Sequence, residues 1–354
     1  MIKLYPSTYP LAWPDTISDT GLDALESALS SYLEYSHVIA LDSVESAFSL
    51  SLSIFDEKSS VLCSPNAPIT LFKALHKHRL QPRFCDLKLD GTPESRFLNK
   101  GINESSRALL VSHNHGQLAE LNTLKAFADK NGLLFIEDAT QAFRGKANTG
   151  AKLALFDLET LLPPFIAKGG FIATDDEELA AELRLKSRGG YVQKKFWNYD
   201  ITGISDDSTM DNLTASFALA ALADIENTLA KIDAIQTLYL QKLASNRLVE
   251  LPKAENLVPC PLFPVALVPA LFCPKEDIYQ ALTEKGVPVR VGNKPVYKTT
   301  AFKDDTFSLF GAEEVHKAQL LLPAHHLMTP DDAASVVETL ESVLDHYGYR
   351  GCTF

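Results

Sequence analysis

The sequence predicts an α/β fold: a largely parallel sheet flanked by helices over residues 1–245, and a smaller α+β domain over 246–354. Three observations predict it. Short apolar runs alternate with helix-period segments through the first two-thirds of the chain. A long helical pattern from Asp211 to about Ala244 has the length to connect two domains. After it, the proline-rich stretch Pro252–Pro269 marks the change to a smaller unit.

Taken in order, Val38–Leu41, Val61–Cys63, Arg83–Cys85, Ala108–Val111 and Leu133–Glu137 read as buried strands, being short and mostly apolar. Leu22–Leu33, Ser46–Phe55, Ile69–His78 and Leu121–Lys130 read as the helices between them. In the last, Leu121, Leu124 and Phe127 recur at helical spacing, and Asn131-Gly132 supplies a left-handed stop. Gly169–Thr174 forms a strand running into a helix, with Thr174 as the expected cap and Glu177 reaching back. From Asp211 onward Leu213, Phe217, Ala221, Ile225, Leu229, Ile232 and Ile235 share one face. The final helix has Thr329 as cap, Pro330 in its first turn, two aspartates at its positive end and Gly348 at its close.

Composition excludes several function classes. The chain has 354 residues, 46% hydrophobic and 22% charged, values of an ordinary globular protein rather than a disordered one. Acids outnumber bases 45 to 33, for a net charge of −12, whereas a nucleic-acid partner held by its phosphates calls for the opposite sign. Cys63, Cys85, Cys260, Cys273 and Cys352 are scattered, odd in number and without a CxxC pair, which argues against a disulfide framework or zinc knuckle. The opening segment has no apolar run of signal-peptide length and is interrupted by Pro6, Pro10 and Pro14. No stretch approaches the roughly 20 apolar residues that span a bilayer. The expected compartment is a reducing cytoplasm.

Histidine clusters offer little for a metal. His76 and His78 point apart at helical spacing two, and the adjacent His325 and His326 diverge. His113 and His115 at a strand end are either a ligand pair or two turn histidines. No metal site is expected. Dinucleotide, P-loop and nucleophile-elbow motifs are absent from the sequence.

Four segments, in order, carry a resemblance. They are Ser112-His113-Asn114-His115-Gly116-Gln117, Phe135-Ile136-Glu137-Asp138-Ala139-Thr140-Gln141-Ala142, Gly169–Asp176 and Leu320–Leu327. Together they resemble the pyridoxal-phosphate sugar aminotransferases of the DegT/DnrJ/EryC1/StrS family, over roughly residues 20 to 347. The resemblance implies a fold-type I large domain with a small C-terminal domain, a nucleotide-linked sugar as substrate and a homodimer. Asp138 would hold the pyridine nitrogen protonated, so that the ring accepts electrons, and Gln141 would lie near the cofactor hydroxyl.

Other family features are altered here. In the family a Gly-Thr pair opens the helix that receives the phosphate, combining close backbone approach with helix-end potential. The matching residues are Val44 and Glu45, followed by Ser46-Ala47, so Ser46 is the remaining hydroxyl of the cup. The family's Schiff-base lysine precedes the Gly-Gly strand. Thr160–Ala167 contains no lysine; an ungapped count lands on Leu161, frames using Pro163 or Pro164 land on Phe165 or Ile166, and Lys168 is the nearest amine. Asn66-Ala67-Pro68-Ile69 lacks the ring-stacking aromatic, and Asp207-Ser208-Thr209-Met210 replaces an Asn-x-Arg-Met loop.

These departures lead to the expectation of a degenerate relative that does not transaminate and serves as a binding or partner subunit. The resemblance implies pyridoxal phosphate as the cofactor; these departures leave its binding here open, and no internal aldimine is expected. The alternative is an active aminotransferase on a nucleotide-linked keto sugar, using Lys168 or a rearranged loop. A third reading is lysine-free chemistry on such a sugar. Asp138, deprived of a pyridinium, is expected to be satisfied by protein groups or water, with His113 the nearest candidate.

Overall fold

Short runs of buried, mostly apolar residues build the central sheet, and the computed structural model describes it within residues 13–14, 17–162, 166–195, 197–268 and 274–348. The elements run α1 (Gly21–Leu33), β1 (His37–Leu41), α2 (Val44–Leu52), β2 (Ser60–Cys63), α3 (Ile69–Lys77) and β3 (Gln81–Phe84). A short α4 (Leu98–Gly101) leads into β4 (Ser106–Ser112), α5 (Leu121–Lys130), β5 (Leu134–Asp138), β6 (Leu153–Asp157), β7 (Gly170–Thr174) and α6 (Glu177–Ser187). A hairpin of β8 (Tyr191–Lys195) and β9 (Asn198–Ile201) precedes α7 (Asn212–Leu222) and α8 (Ile225–Leu243). The remainder is β10 (Val249–Glu250), β11 (Leu262–Leu267), α9 (Lys275–Glu284), β12 (Arg290–Val291), α10 (Phe310–Ala318), β13 (Gln319–Pro323) and α11 (Pro330–Gly348).

Seven strands form the large sheet in the order β1-β7-β6-β5-β4-β2-β3, with β7 antiparallel to both neighbours and the other pairings parallel. Successive residues of each strand supply opposite faces. Ile39, Leu110, Ile136, Leu153, Leu155 and Ile172 pack beneath α2 and α3 on one face. Ala40, Ala154, Phe156, Phe171 and Ala173 pack against α1 and α7 on the other. The expected doubly covered, largely parallel sheet is present. The second sheet, β10-β11-β13-β12, is antiparallel and shares a core with α11 and the later half of α8.

Local expectations fare unevenly. Gly132 takes φ +63 after α5 as the Asn-Gly stop requires, and Thr329 and Asp332 cap α11 reciprocally. The cap of α6 is Asp176, not Thr174: Asp176 Oδ1 accepts from Leu179 N at 2.9 Å. Thr174 is occupied elsewhere, its hydroxyl donating to Lys152 O at 2.7 Å. The single long helix from Asp211 is two helices, interrupted at Ala223-Asp224. α7 and the first turns of α8, through Ile225 and Leu229, share the core with α1, and α8 runs on into the core of the small sheet from Ile235. The unpredicted strands include β6, β8 and β9. Cys63, Cys85 and Cys260 are free and buried; Cys273 and Cys352 lie outside the described residues. Among the described residues no helix is long and apolar enough to cross a membrane.

Candidate functional site

In a parallel sheet the carboxyl ends of the strands open a crevice, and that is where ligands of α/β proteins bind. β4, β5 and β6 end there in Ser112, Asp138 and Asp157. Ser112 pairs with Asp138, and Asp138 pairs with Leu155, two residues before Asp157. The period of two therefore directs Ser112, Asp138 and Asp157 to one face, the face covered by α2. β7 brings Gly170 opposite Asp157, and a Cβ at Gly170 would stand 2.8 Å from Val44 Cα. Glycine at 170 thus lets the first turn of α2 close down on the sheet edge.

Asp138 lies at the base of this crevice, 1% exposed. Its Oδ1 accepts from Thr140 N at 3.1 Å and from the Thr140 hydroxyl at 2.7 Å, while Oδ2 has no hydrogen-bond partner. Burial pushes its carboxyl above the usual range, tempered by the nearby Ser112 and Thr140 hydroxyls. His113 is not its partner. Val111 pairs with Glu137, so His113 reaches the opposite face and its Nε2 meets Glu137 Oε1 at 2.8 Å. Ala119 N donates to His113 Nδ1 at 3.2 Å, which leaves the proton on Nε2, donated to Glu137. Burial raises the Glu137 carboxyl, but His113, the Thr149 hydroxyl and Arg144 more than offset it and hold it below its ordinary value.

Gln141 Oε1 accepts from His115 N at 2.8 Å, tying the Asp138 loop to the turn after β4. That turn also meets the segment that leads into β11. His115 and Gly116 take φ +56 and +77, a Cβ on Gly116 would meet Val258 O at 2.5 Å, and Val258 N donates to Gly116 O at 2.9 Å. The glycine of the His-x-x-Gly-Gln pattern is therefore required for packing. His113 and His115 serve separate partners, and no group of three metal-ligating side chains forms among the described residues.

The amino end of α2 is filled by its own side chains. Ser43 caps it, accepting from Ser46 N at 3.2 Å, and the Ser46 hydroxyl donates to Asp42 Oδ1 at 2.6 Å. Glu45 is exposed in the first turn and, with Glu159 and Asp138, acts on Asp157. Desolvation first, then the Glu159, Glu45 and Asp138 carboxylates, push Asp157 up to about 7, against the hydrogen bond it receives from Glu159 N. Sequence reasoning missed Asp157 and Glu159. The available signal was a second apolar run ending in an acid, Leu153–Asp157, like Phe135–Asp138.

Around the lysine position, Leu161 and Leu162 are 1% and 0% exposed in the core with α1 and α7. Pro163, Pro164 and Phe165 lie outside the described residues, and Ile166 is half-buried. Lys168 is exposed, immediately before the Gly169-Gly170 strand, with no hydrogen bond or ion pair to any described residue. Met210 is buried against Gly169, while Ser208 O accepts from Asp42 N at 2.9 Å. Asn66 Nδ2 is spent on Asn293 O and Ala312 O. The base of the crevice suits a pyridinium, because Asp138 Oδ2 lacks a partner. The phosphate end does not fit a dianion, because Asp42, Glu45 and Asp157 meet it with carboxylates.

Comparison with known proteins places the chain. The transaminase of Campylobacter jejuni subsp. jejuni (serotype O:23/36) named for UDP-4-amino-4,6-dideoxy-N-acetyl-beta-L-altrosamine is 25% identical over 347 residues, 93% of this chain and 92% of its own. The Helicobacter pylori protein of the same name is 24% identical over 334 residues, 90% and 89% of the two chains. The structure of Helicobacter pylori PseC, described as an aminotransferase in pseudoaminic acid biosynthesis, superposes with a TM-score of 0.86 at 20% identity, over 92% of each chain. That of NtdA from Bacillus subtilis, solved with bound cofactor PMP, gives 0.83 at 24% identity over 93% of this chain and 78% of its own. The family model matches residues 16–341, and on that match over nearly its whole length this chain belongs to the DegT/DnrJ/EryC1/StrS aminotransferase family.

Proposed function

We propose that the protein handles a nucleotide-linked sugar in the crevice at the ends of β4, β5 and β6, without covalent capture of pyridoxal phosphate. The observation that carries this reading is the buried pair Leu161-Leu162 before the Gly-Gly strand, where the family's motif has an amine. The sugar class rests on the names of the relatives.

A second reading has its own support. The relatives that cover nine-tenths of the chain are named transaminases, and the chain carries Asp138 and Gln141 in the Glu-Asp-Ala-x-Gln segment of the resemblance. On that ground an aminotransferase acting on a nucleotide-linked keto sugar through Lys168, or through a rearranged loop at 163–165 outside the described residues, stands ahead of a purely passive partner role. The test is calorimetric titration with a UDP-linked 4-keto-6-deoxy sugar, followed by mass analysis after adding pyridoxal phosphate and glutamate. Binding without an aminated product is the expected result. Appearance of the amino sugar overturns it in favour of the second reading, and absence of binding removes both.

We also propose a homodimer, for a reason other than the one the sequence suggests. The apolar face of α7 and α8 is largely covered within the chain. An uncovered apolar surface lies on the β8–β9 hairpin and its exit, where Tyr191, Trp197, Tyr199, Ile201 and Ile204 are 45%, 67%, 62%, 61% and 103% exposed. Light scattering at micromolar concentration is expected to give twice the chain mass; a monomer mass counts against it.

A further inference from the structure

We infer that one water molecule is built into the seam between the two sheets, held by Asn66, Asn114 and His115. Asn66 lies in the loop after β2, and Asn114 and His115 lie in the turn after β4. With Gln117, Asn293 and Gln319 they line a cavity of about 10 Å³, the space of a single water. Asn293 follows β12 and Gln319 opens β13, so the small sheet supplies the facing wall. Polar bonds close this seam. Asn66 Nδ2 donates to Asn293 O at 3.1 Å and to Ala312 O at 3.0 Å, and Asn293 Nδ2 donates back to Asn66 O at 3.0 Å.

Three of the lining side chains each hold a buried polar atom without a protein partner: Asn66 Oδ1, Asn114 Oδ1 and His115 Nδ1. Asn66 and His115 are only 2% and 3% exposed, so bulk solvent does not serve them. The amides are oriented by their other bonds. Asn66 Nδ2 is committed to two carbonyls, and Asn114 Nδ2 donates to Asn66 O at 3.2 Å. Both orphans are therefore acceptor oxygens, which cannot satisfy each other. Burial, with the charge of Arg290, holds His115 down at about 4, so its ring is neutral at pH 7 and one nitrogen carries a proton. No carboxylate or ammonium lines the cavity, so an ion would have no counter-charge there. A water donates to the two amide oxygens and accepts from His115 Nδ1–H, which completes all three groups. His115 then carries its proton on Nδ1, the opposite tautomer to His113, whose Nε2 donates to Glu137. The His115 backbone N–H holds Gln141 Oε1 at 2.8 Å, so the water's grip on this residue reaches the loop that carries Asp138.

The test uses the full-length chain. A high-resolution crystal structure is expected to show one water at about 2.7–3.2 Å from Asn66 Oδ1, Asn114 Oδ1 and His115 Nδ1. Nitrogen-15 imidazole spectra are expected to show a protonated Nδ1 and a bare Nε2 for His115, with the reverse for His113. Oxygen-17 relaxation dispersion counts long-lived waters, and Asn114→Leu is expected to have one fewer than wild type and a lower thermal midpoint. His115→Asn keeps an N–H near the Nδ1 position and suits the residue's φ of +56, so it is expected to keep the water. A dry cavity, a metal ion in it, a bare His115 Nδ1, or an unchanged water count in Asn114→Leu overturns the site. Should Asn114→Leu fail to fold, the wild-type density and the wild-type tautomers decide the matter by themselves.

Discussion

Incubation with pyridoxal phosphate followed by borohydride leaves Lys168 unmodified, and peptide mapping recovers no pyridoxyl-lysine. This all-or-none result follows from two separate obstacles. Leu161 and Leu162 sit in the hydrophobic core beneath α1, so the motif's amine has no counterpart at its own position. Lys168 lies beyond it along the chain; even two residues of extended backbone displace an amine by roughly 6–7 Å. The phosphate would also meet Asp42, Glu45 and Asp157 in place of hydroxyls. A single pair of like charges about 4 Å apart costs on the order of 4 kcal/mol at an effective dielectric near 20. A stoichiometric adduct on Lys168 would show that the chain rearranges on loading, and the aminotransferase reading would then prevail.

Asp157→Asn stabilises the protein above neutrality. The folded chain holds Asp157 at about 7 against a reference of 3.8, through desolvation and the neighbouring carboxylates Glu159, Glu45 and Asp138. A raised acid binds its proton more tightly folded than unfolded. Its penalty is therefore absent below about pH 4, grows as pH climbs through the window between the two values, and is complete above about 7. The difference corresponds to a ceiling of about 4 kcal/mol. Asparagine keeps an oxygen for the Glu159 N–H and removes the charge. Urea midpoints at pH 5 and pH 8 are expected to show wild type losing stability relative to the variant across that interval. Glu137, Asp175 and Asp176 are held low and titrate in the opposite sense, but they are common to both proteins and cancel in the difference. Parallel pH profiles for wild type and Asp157→Asn would refute the assignment.

Much of this protein is written locally. The apolar runs around Val38, Val61, Ala108 and Leu134 became strands because a short run buried on both faces fits a strand of a doubly covered sheet. Asn131-Gly132 and the Thr329–Asp332 box ended and started helices because their hydrogen bonds close within four residues. The family followed from four short segments whose order and spacing survive in the chain. The absence of lysine from Thr160–Ala167 was legible too, whatever the fold does.

Tertiary structure decided the rest, wherever two local solutions competed or two distant residues had to meet. Thr174 and Asp176 both satisfy the rule for a helix cap; a cross-strand bond from Thr174 to Lys152 O settled the choice. His113 had two acids within reach, Glu137 and Asp138, on opposite faces of one strand, and only the register of β4 on β5 sends it to Glu137. The helical pattern past Asp211 carries no glycine or proline at its break at Ala223-Asp224, so no local signal announces it. The acidic crevice is the clearest instance. Glu45, Asp138 and Asp157 are far apart in sequence, and each alone is an ordinary acid at the edge of a helix or strand. Their mutual field exists because two strand ends and one helix start occupy the same edge of the sheet, and Coulomb energy depends on distance in space, not along the chain.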